Sequence, residues 1–302
     1  MHNYSIMSMY QSQRIRRKKP RKVVRWLTLA ALLLVLGAGA AAFALLKHSP
    51  PRVVSSAKKQ DAPVQQPKEQ PKPSLVDLQP TVDQWLTKQP ADYGIVIYDP
   101  ANQKVIAAHN ADKKYFAASL YKLFVAYLAL VDFQNGAQNS DEVLTEGFTR
   151  RQCVDKMIRE SYSPCGEAMM AAMGQETLRA RVSAMGISNT TFAGITTTAQ
   201  DSALILQYIQ EKRDLNAANT AFLKDAMRVQ DQRFRRGLAK GAPEATWETK
   251  VGWNEQYNYH DVGIMTLPGG RAYIVAILSQ NNGSPVPIAD FAATIYAVLK
   301  QS

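Results

Sequence analysis

Three stretches near the C-terminus decide the fold: TWETKVGW (246–253), YHDVGIMTL (259–267) and AYIVAILS (272–279). All are rich in the β-branched and aromatic residues that suit a pleated surface, and each reads as a strand. Pro268, Gly269 and Gly270 supply the turn between the last two. Tight turns join antiparallel neighbours, because parallel ones need a long crossover. Towards the N-terminus, 93–98 and 104–109 form a second hairpin about the turn Asp99-Pro100-Ala101-Asn102. Between these sheet pieces lie a helical pattern from Ser119 to Phe133 and a block, about Thr145 to Ala239, that reads as helices joined by short loops. Helical patterns at Leu75–Gln89 and Val286–Lys300 flank the whole. The order is therefore helix, two strands, helices, three strands, helix. One antiparallel sheet has to be assembled from both ends of the chain, with helices against it and an all-helical lobe (about 145–239) inserted. This is an α/β (α+β) architecture, and the cleft between two such lobes is where a site is expected.

The charge pattern sets the compartment. The 302 residues have a net charge of +11, but residues 1–60 hold twelve Lys and Arg and no acid. The remaining residues are nearly neutral, with 24 basic and 25 acidic side chains. A basic tail can bind nucleic acid, but the apolar run beside this one makes it a membrane flank instead. Leu27 to Leu46 is a run of 20 residues without charge, preceded by eight basic residues and Trp26. A helix of that length spans about 30 Å, the thickness of a bilayer core. Positive flanks stay on the cytoplasmic side. Residues 1–26 are thus expected to be a cytoplasmic tail, 27–46 a single-pass anchor in the cell membrane, and the rest extracytoplasmic. The competing reading is a cleaved signal peptide, since 38–44 is Ala-rich, although the run exceeds a signal's usual apolar length. Residues 47–74, rich in Pro, Gln and Lys, read as an extended linker before a domain covering 75–302. The two cysteines, Cys153 and Cys165, suggest a bridge in an exported chain. Two buried free thiols are the alternative, and no His pair at metal spacing supports a zinc site.

The chemistry begins at Ser119-Leu120-Tyr121-Lys122. On a helix, residues three apart share a face, so hydroxyl and amine can meet. Serine needs a base to become a nucleophile, and a desolvated lysine can provide it. A serine at a helix start also meets free N–H groups that favour developing negative charge. Alone this spacing is common. It is followed by Ser161-Tyr162-Ser163 and then by Lys250-Val251-Gly252-Trp253 in a strand. That ordered set resembles the S-x-x-K, S-D-N and K-T-G motifs of class A β-lactamases and penicillin-binding proteins. The resemblance extends over about 75–302. Thr190-Thr191-Phe192 and the run Thr196 to Asp201 look like the family's segment after the active-site loop, and the Cys153–Cys165 stretch looks like the variant of exported Gram-positive members.

The resemblance implies roles. Ser119 would form the acyl-enzyme, and Lys122 would be its base or relay. Ser161 would pass a proton to the leaving nitrogen. Lys250 would hold the substrate carboxylate. The backbone N–H groups of Ser119 and Trp253 would form the oxyanion hole, and Ser163, Val251 and Gly252 would line the substrate site. No cofactor or metal is implied, and the expected substrate is a peptidoglycan peptide or a β-lactam. The departures are as informative. Tyr162 and Ser163 stand where Asp and Asn are usual, and Val251 replaces a Thr that could donate. The segment from Gly186 to Asp201 contains no glutamate, whereas β-lactamases carry one there to activate the deacylating water. A carboxypeptidase, endopeptidase or penicillin-acylated protein therefore fits better than a fast β-lactamase. The alternatives are a decayed wall-binding or regulatory module and a β-lactamase with an unorthodox base. His260-Asp261 reads as a non-catalytic pair, because neighbours on a strand point to opposite faces. The Arg233-Phe234-Arg235-Arg236 cluster reads as a solvated face, and Met169, Met170 and Met173 as helix core.

Overall fold

The computed structural model describes residues 74–254 and 257–301. The expected tail, anchor and linker thus lie, up to residue 73, outside the described residues. Among the described residues no helix is long and apolar enough to cross a membrane.

The chain runs from α1 (Gln79–Leu86) into the hairpin β1 (Asp92–Asp99) and β2 (Lys104–His109). A two-residue strand β3 (Tyr115–Phe116) and a 3₁₀ turn (Ala118–Leu120) lead into α2 (Tyr121–Gln134). A small ladder, β4 (Val143–Thr145) and β5 (Phe148–Thr149), introduces α3 (Arg150–Arg159), α4 (Ser163–Met173) and α5 (Gln175–Ala184). Strand β6 (Thr196–Thr197) precedes α6 (Ala199–Gln210), α7 (Ala217–Arg228) and the single turn α8 (Leu238–Gly241). Strands β7 (Thr246–Asn254), β8 (Asn258–Thr266) and β9 (Ala272–Gln280) and the helix α9 (Val286–Leu299) complete the order.

The sheet is antiparallel, in the order β2-β1-β9-β8-β7. β1 and β9 pair in the middle, with Ile95 opposite Ile277 and Tyr93 opposite Ser279. The two ends of the chain are joined there, as the strand order requires. β7 is left at an edge, and this edge faces the site.

Alternation along the strands divides the apolar residues between two cores. Ile95, Ile97, Met265, Val275 and Ile277 pack with Leu78, just before α1, with Val82 and Trp85 of α1, and with Phe291 and Ile295 of α9. Trp85 and Phe291 meet edge to face with centroids 5.0 Å apart. On the other face Val96, Val262, Ile264, Ile274 and Ala276 pack with residues of α2 to α7 in one continuous cluster. The helical block is a distinct lobe in sequence, yet it shares its core with the sheet. The reason is α2, in which Tyr121 through Leu130 are all buried. A helix apolar all round is a central helix, covered on every side.

Local differences from the sequence reading have local causes. α1 begins at Gln79, with Pro80 in its first turn, so Leu75 stays outside the helix and is exposed. The regular helix after Ser119 begins only at Tyr121. β3 and β6 pair with each other, Tyr115 opposite Thr197 and Phe116 opposite Thr196. Two residues are too few to show a period in sequence.

Candidate active site

Ser119 sits in the 3₁₀ turn between β3 and α2. Hydrogen bonds to separate parts of the chain fix this turn. Ala117 N–H donates to Ile195 O at 2.8 Å, and Leu120 N–H to Ala117 O at 2.9 Å. His260 Nε2 meets Phe116 O at 2.8 Å, while His260 Nδ1 accepts from Ser279 N–H at 2.9 Å. With Nδ1 an acceptor, the proton is on Nε2, which donates to Phe116. Burial holds the His260 ring down at about 4, so it is neutral at physiological pH. The residue is a brace for the turn. Asp261 points the other way and accepts from Leu238 N–H at 2.8 Å. Burial pushes its carboxyl up to about 8. The two neighbours do not form an acid–base pair, in line with the strand alternation. Ala118, next to the serine, has φ +44°, a left-handed conformation uncommon for a residue with a Cβ.

Lys122, the second residue of α2, is fully buried. Its Nζ lies 3.0 Å from Ser119 Oγ, 2.5 Å from Ser161 O and 3.1 Å from Ser163 Oγ. Desolvation lowers its pKa to about 8, partly opposed by the charge of Glu167. Lys250, on β7, is also fully buried. Its Nζ donates to Ser161 Oγ at 2.9 Å and to Val251 O at 2.8 Å. Burial, and then the nearby Lys122, bring its pKa well below that of an ordinary lysine. Ser161 thus bridges two lysines, one through its carbonyl and one through its hydroxyl. It has φ +54°, and this turns carbonyl and hydroxyl towards the two amines at once. Such a conformation persists only where the surroundings impose it. The Cys153–Cys165 disulfide contributes here, joining α3 to α4 across the Ser161 link with Cα atoms 4.9 Å apart.

The other residues named from the sequence divide between cleft, rim and core. Ser163 reaches Lys122, as its hydroxyl allows. Tyr162 turns outward, donating to Glu146 at 2.6 Å and packing on Phe148. Gly252 lies beside the Ser119 turn; a Cβ there would come within 2.6 Å of Ala117 O and 2.9 Å of Leu120 Cγ. Val251 is buried in the core shared with α1 and α9, on the sheet face away from Lys250. Its side chain does not line the cleft. Trp253 stands at the rim, with its indole N–H on Gly283 O at 3.1 Å. Ser119 and Trp253 both border the cleft, the positions from which their N–H groups would serve an oxyanion.

Two residues escaped the sequence reading. Gly166, in α4, lies against the stem of Lys122, where a Cβ would meet Lys122 Cε at 2.8 Å and Tyr121 Oη at 2.9 Å. Glu167 lines the cleft with Ser119 and Ser163. Its signal was present in the sequence: four residues after Ser163 on a helix is the same face. Opposite α4 the cleft is bordered by Ile195. Ile195 belongs to a tight hairpin in which Thr191 and Thr196 exchange backbone hydrogen bonds of 2.9 and 3.2 Å, with their hydroxyls 2.9 Å apart. Buried Asp201 anchors the base of this hairpin by accepting from Thr190 Oγ1 and Asn189 N–H, both at 2.8 Å.

A family model described as the beta-lactamase enzyme family matches residues 77–299. Among solved structures, PBP-A superposes with a TM-score of 0.69 at 19% identity, covering 74% of this chain and 96% of that one. A mutant of PBP-A, solved as an acyl-enzyme complex with penicillin G, gives a TM-score of 0.68 at 18% identity over 74% and 97%. A beta-lactamase from Chitinophaga pinensis DSM 2588 gives 0.67 at 14% identity over 73% and 98%. At these identities the likeness is one of fold. No curated protein matches the chain.

Proposed function

This chain belongs to the beta-lactamase enzyme family and is a serine hydrolase, and from that premise we propose that it works through a Ser119 acyl-enzyme on peptidoglycan peptides, as a D-Ala-D-Ala-type carboxypeptidase or endopeptidase that penicillin also acylates. The observation that carries the reading is the chain of contacts Ser119–Lys122–Ser161–Lys250, with Lys122 Nζ at 3.0 Å from Ser119 Oγ and Lys250 Nζ at 2.9 Å from Ser161 Oγ.

In this reading neutral Lys122 takes the proton of Ser119 as Oγ attacks the scissile carbonyl. The N–H groups of Ser119 and Trp253 receive the oxyanion. Collapse breaks the C–N bond, and Ser161 supplies the proton to the departing nitrogen, replenished from the lysines on either side of it. Lys250 receives the substrate's carboxylate, whose charge offsets the cost of burying an ammonium. Two buried lysines held on one serine are costly to keep, which favours a working site over a decayed module. The apolar run 27–46 and its basic flank support a membrane anchor with the catalytic domain outside.

Full-length protein in detergent, incubated with a fluorescent penicillin, is expected to take one covalent label at Ser119. Absence of label under conditions that mark a control penicillin-binding protein removes the acylation reading. Labelling that survives Ser119→Ala removes the nucleophile.

A further inference from the structure

We infer that Glu167 is the general base that activates the water hydrolysing the Ser119 acyl-enzyme, an inference that rests on the acyl-enzyme reading above. Several observations place it there. Glu167 lies on α4 one turn beyond Ser163, and residues four apart on a helix have Cβ atoms about 5–6 Å apart; Ser163 Oγ is 3.1 Å from Lys122 Nζ, itself 3.0 Å from Ser119 Oγ. Among the described residues bordering the cleft, Glu167 is the one carboxylate. It is exposed and receives no hydrogen bond from the described residues, so its oxygens are open to a water. Its charge acts on both Lys122 and Tyr121, the buried groups beside the nucleophile. On the opposite wall the hairpin ending in Ile195 presents an aliphatic side chain. A water approaching the acyl carbonyl thus meets a carboxylate on the α4 side and an aliphatic side chain on the hairpin side.

The step balances without further reagents. Water oxygen bonds to the acyl carbon while its proton passes to the Glu167 carboxylate. The oxyanion collapses, the bond between the acyl carbon and Ser119 Oγ breaks, and Oγ takes that proton from Glu167 by way of Lys122, which is left neutral as the next acylation requires. The products are free serine and the acid.

The test follows the lifetime of the penicilloyl-enzyme by intact mass in full-length wild type and Glu167→Gln. The expected result is a label that forms on both and lasts about a hundredfold longer in the variant, the scale of a lost general base. Hydroxylamine attacks without needing its proton removed first, so it is expected to release the label from both proteins at equal rates; a merely structural lesion would slow that release as well. Equal lifetimes in water overturn the role of Glu167 while leaving the acyl-enzyme intact, as does a variant that acylates poorly but deacylates normally, which marks a substrate contact. A wild type that takes no label removes the acyl-enzyme reading and this inference with it.

Discussion

If neutral Lys122 is the base for acylation, the rate must follow its titration. Desolvation places that titration at about 8 instead of the ordinary 10.5. The neutral fraction is then about 1% at pH 6, about 10% at pH 7 and about half at pH 8. The second-order rate constant for acylation should therefore rise about fiftyfold from pH 6 to pH 8 and level off above pH 9. Stopped-flow quenching with penicillin in excess, at substrate concentrations far below saturation, measures it directly. Lys250 also titrates low, so the inflection needs an owner. A penicillin ester, lacking the carboxylate that Lys250 would hold, should react more slowly with the inflection unmoved. The folded protein must show the same proton. Between about 8 and 10.5 the unfolded chain binds it and the native state does not, so stability rises with pH across that window. The expected rise is about 3 kcal/mol, lost again as pH falls back from 10.5 to about 8. A flat acylation profile between pH 6 and 8, or an inflection that disappears with the ester, would refute the assignment of Lys122 as the base.

Three further outcomes rest on contacts around the site. Replacing Cys153 and Cys165 with Ser opens a loop with a sequence separation of 12, and denaturant unfolding should register a loss of about 3 kcal/mol. Gly252→Ala puts a Cβ within 2.6 Å of Ala117 O; β7 must retreat from the nucleophile turn, costing about 1–3 kcal/mol in unfolding experiments and slowing acylation more than tenfold. His260 is held at about 4 by burial, against 6.5 in the unfolded chain. Its contribution is fully present above 6.5 and is lost as pH falls towards 4, a decline of about 3 kcal/mol that should be absent from the stability profile of His260→Gln.

The sheet was legible because its strands carry period-two patterns and chemically explicit turns. Ser119 and Lys122 share a helix face, but that spacing alone is common; they became legible with Ser161 and Lys250 through the ordered resemblance to the S-x-x-K, S-D-N and K-T-G motifs. What was hidden depends on contacts between distant segments. Nothing near His260 announces that its ring will meet Phe116 O. Nothing near Gly166 announces that the stem of Lys122 will lie against it. β3 and β6 were invisible because each is too short to have a pattern. Val251 is different. Lys250 and Gly252 facing the nucleophile turn place Val251 on the far side by alternation alone, so the side chain belongs to the core on sequence grounds. The stretch from Gly186 to Asp201 carries no glutamate, and among the described residues the carboxylate that borders the cleft comes from α4, at Glu167, outside the three motifs read in the sequence.

The Thr191–Thr196 hairpin has an evolutionary consequence. Its ends are stapled by backbone and hydroxyl pairs, and only Phe192, Ala193, Gly194 and Ile195 lie between them. Ile195 borders the cleft and stands at φ +49°, so replacing it by Asp would set a carboxylate on this wall, in a left-handed conformation that Asp accepts more readily than a β-branched side chain. The wall opposite α4 is therefore open to point mutation, with the acid carried on a turn folded back on itself.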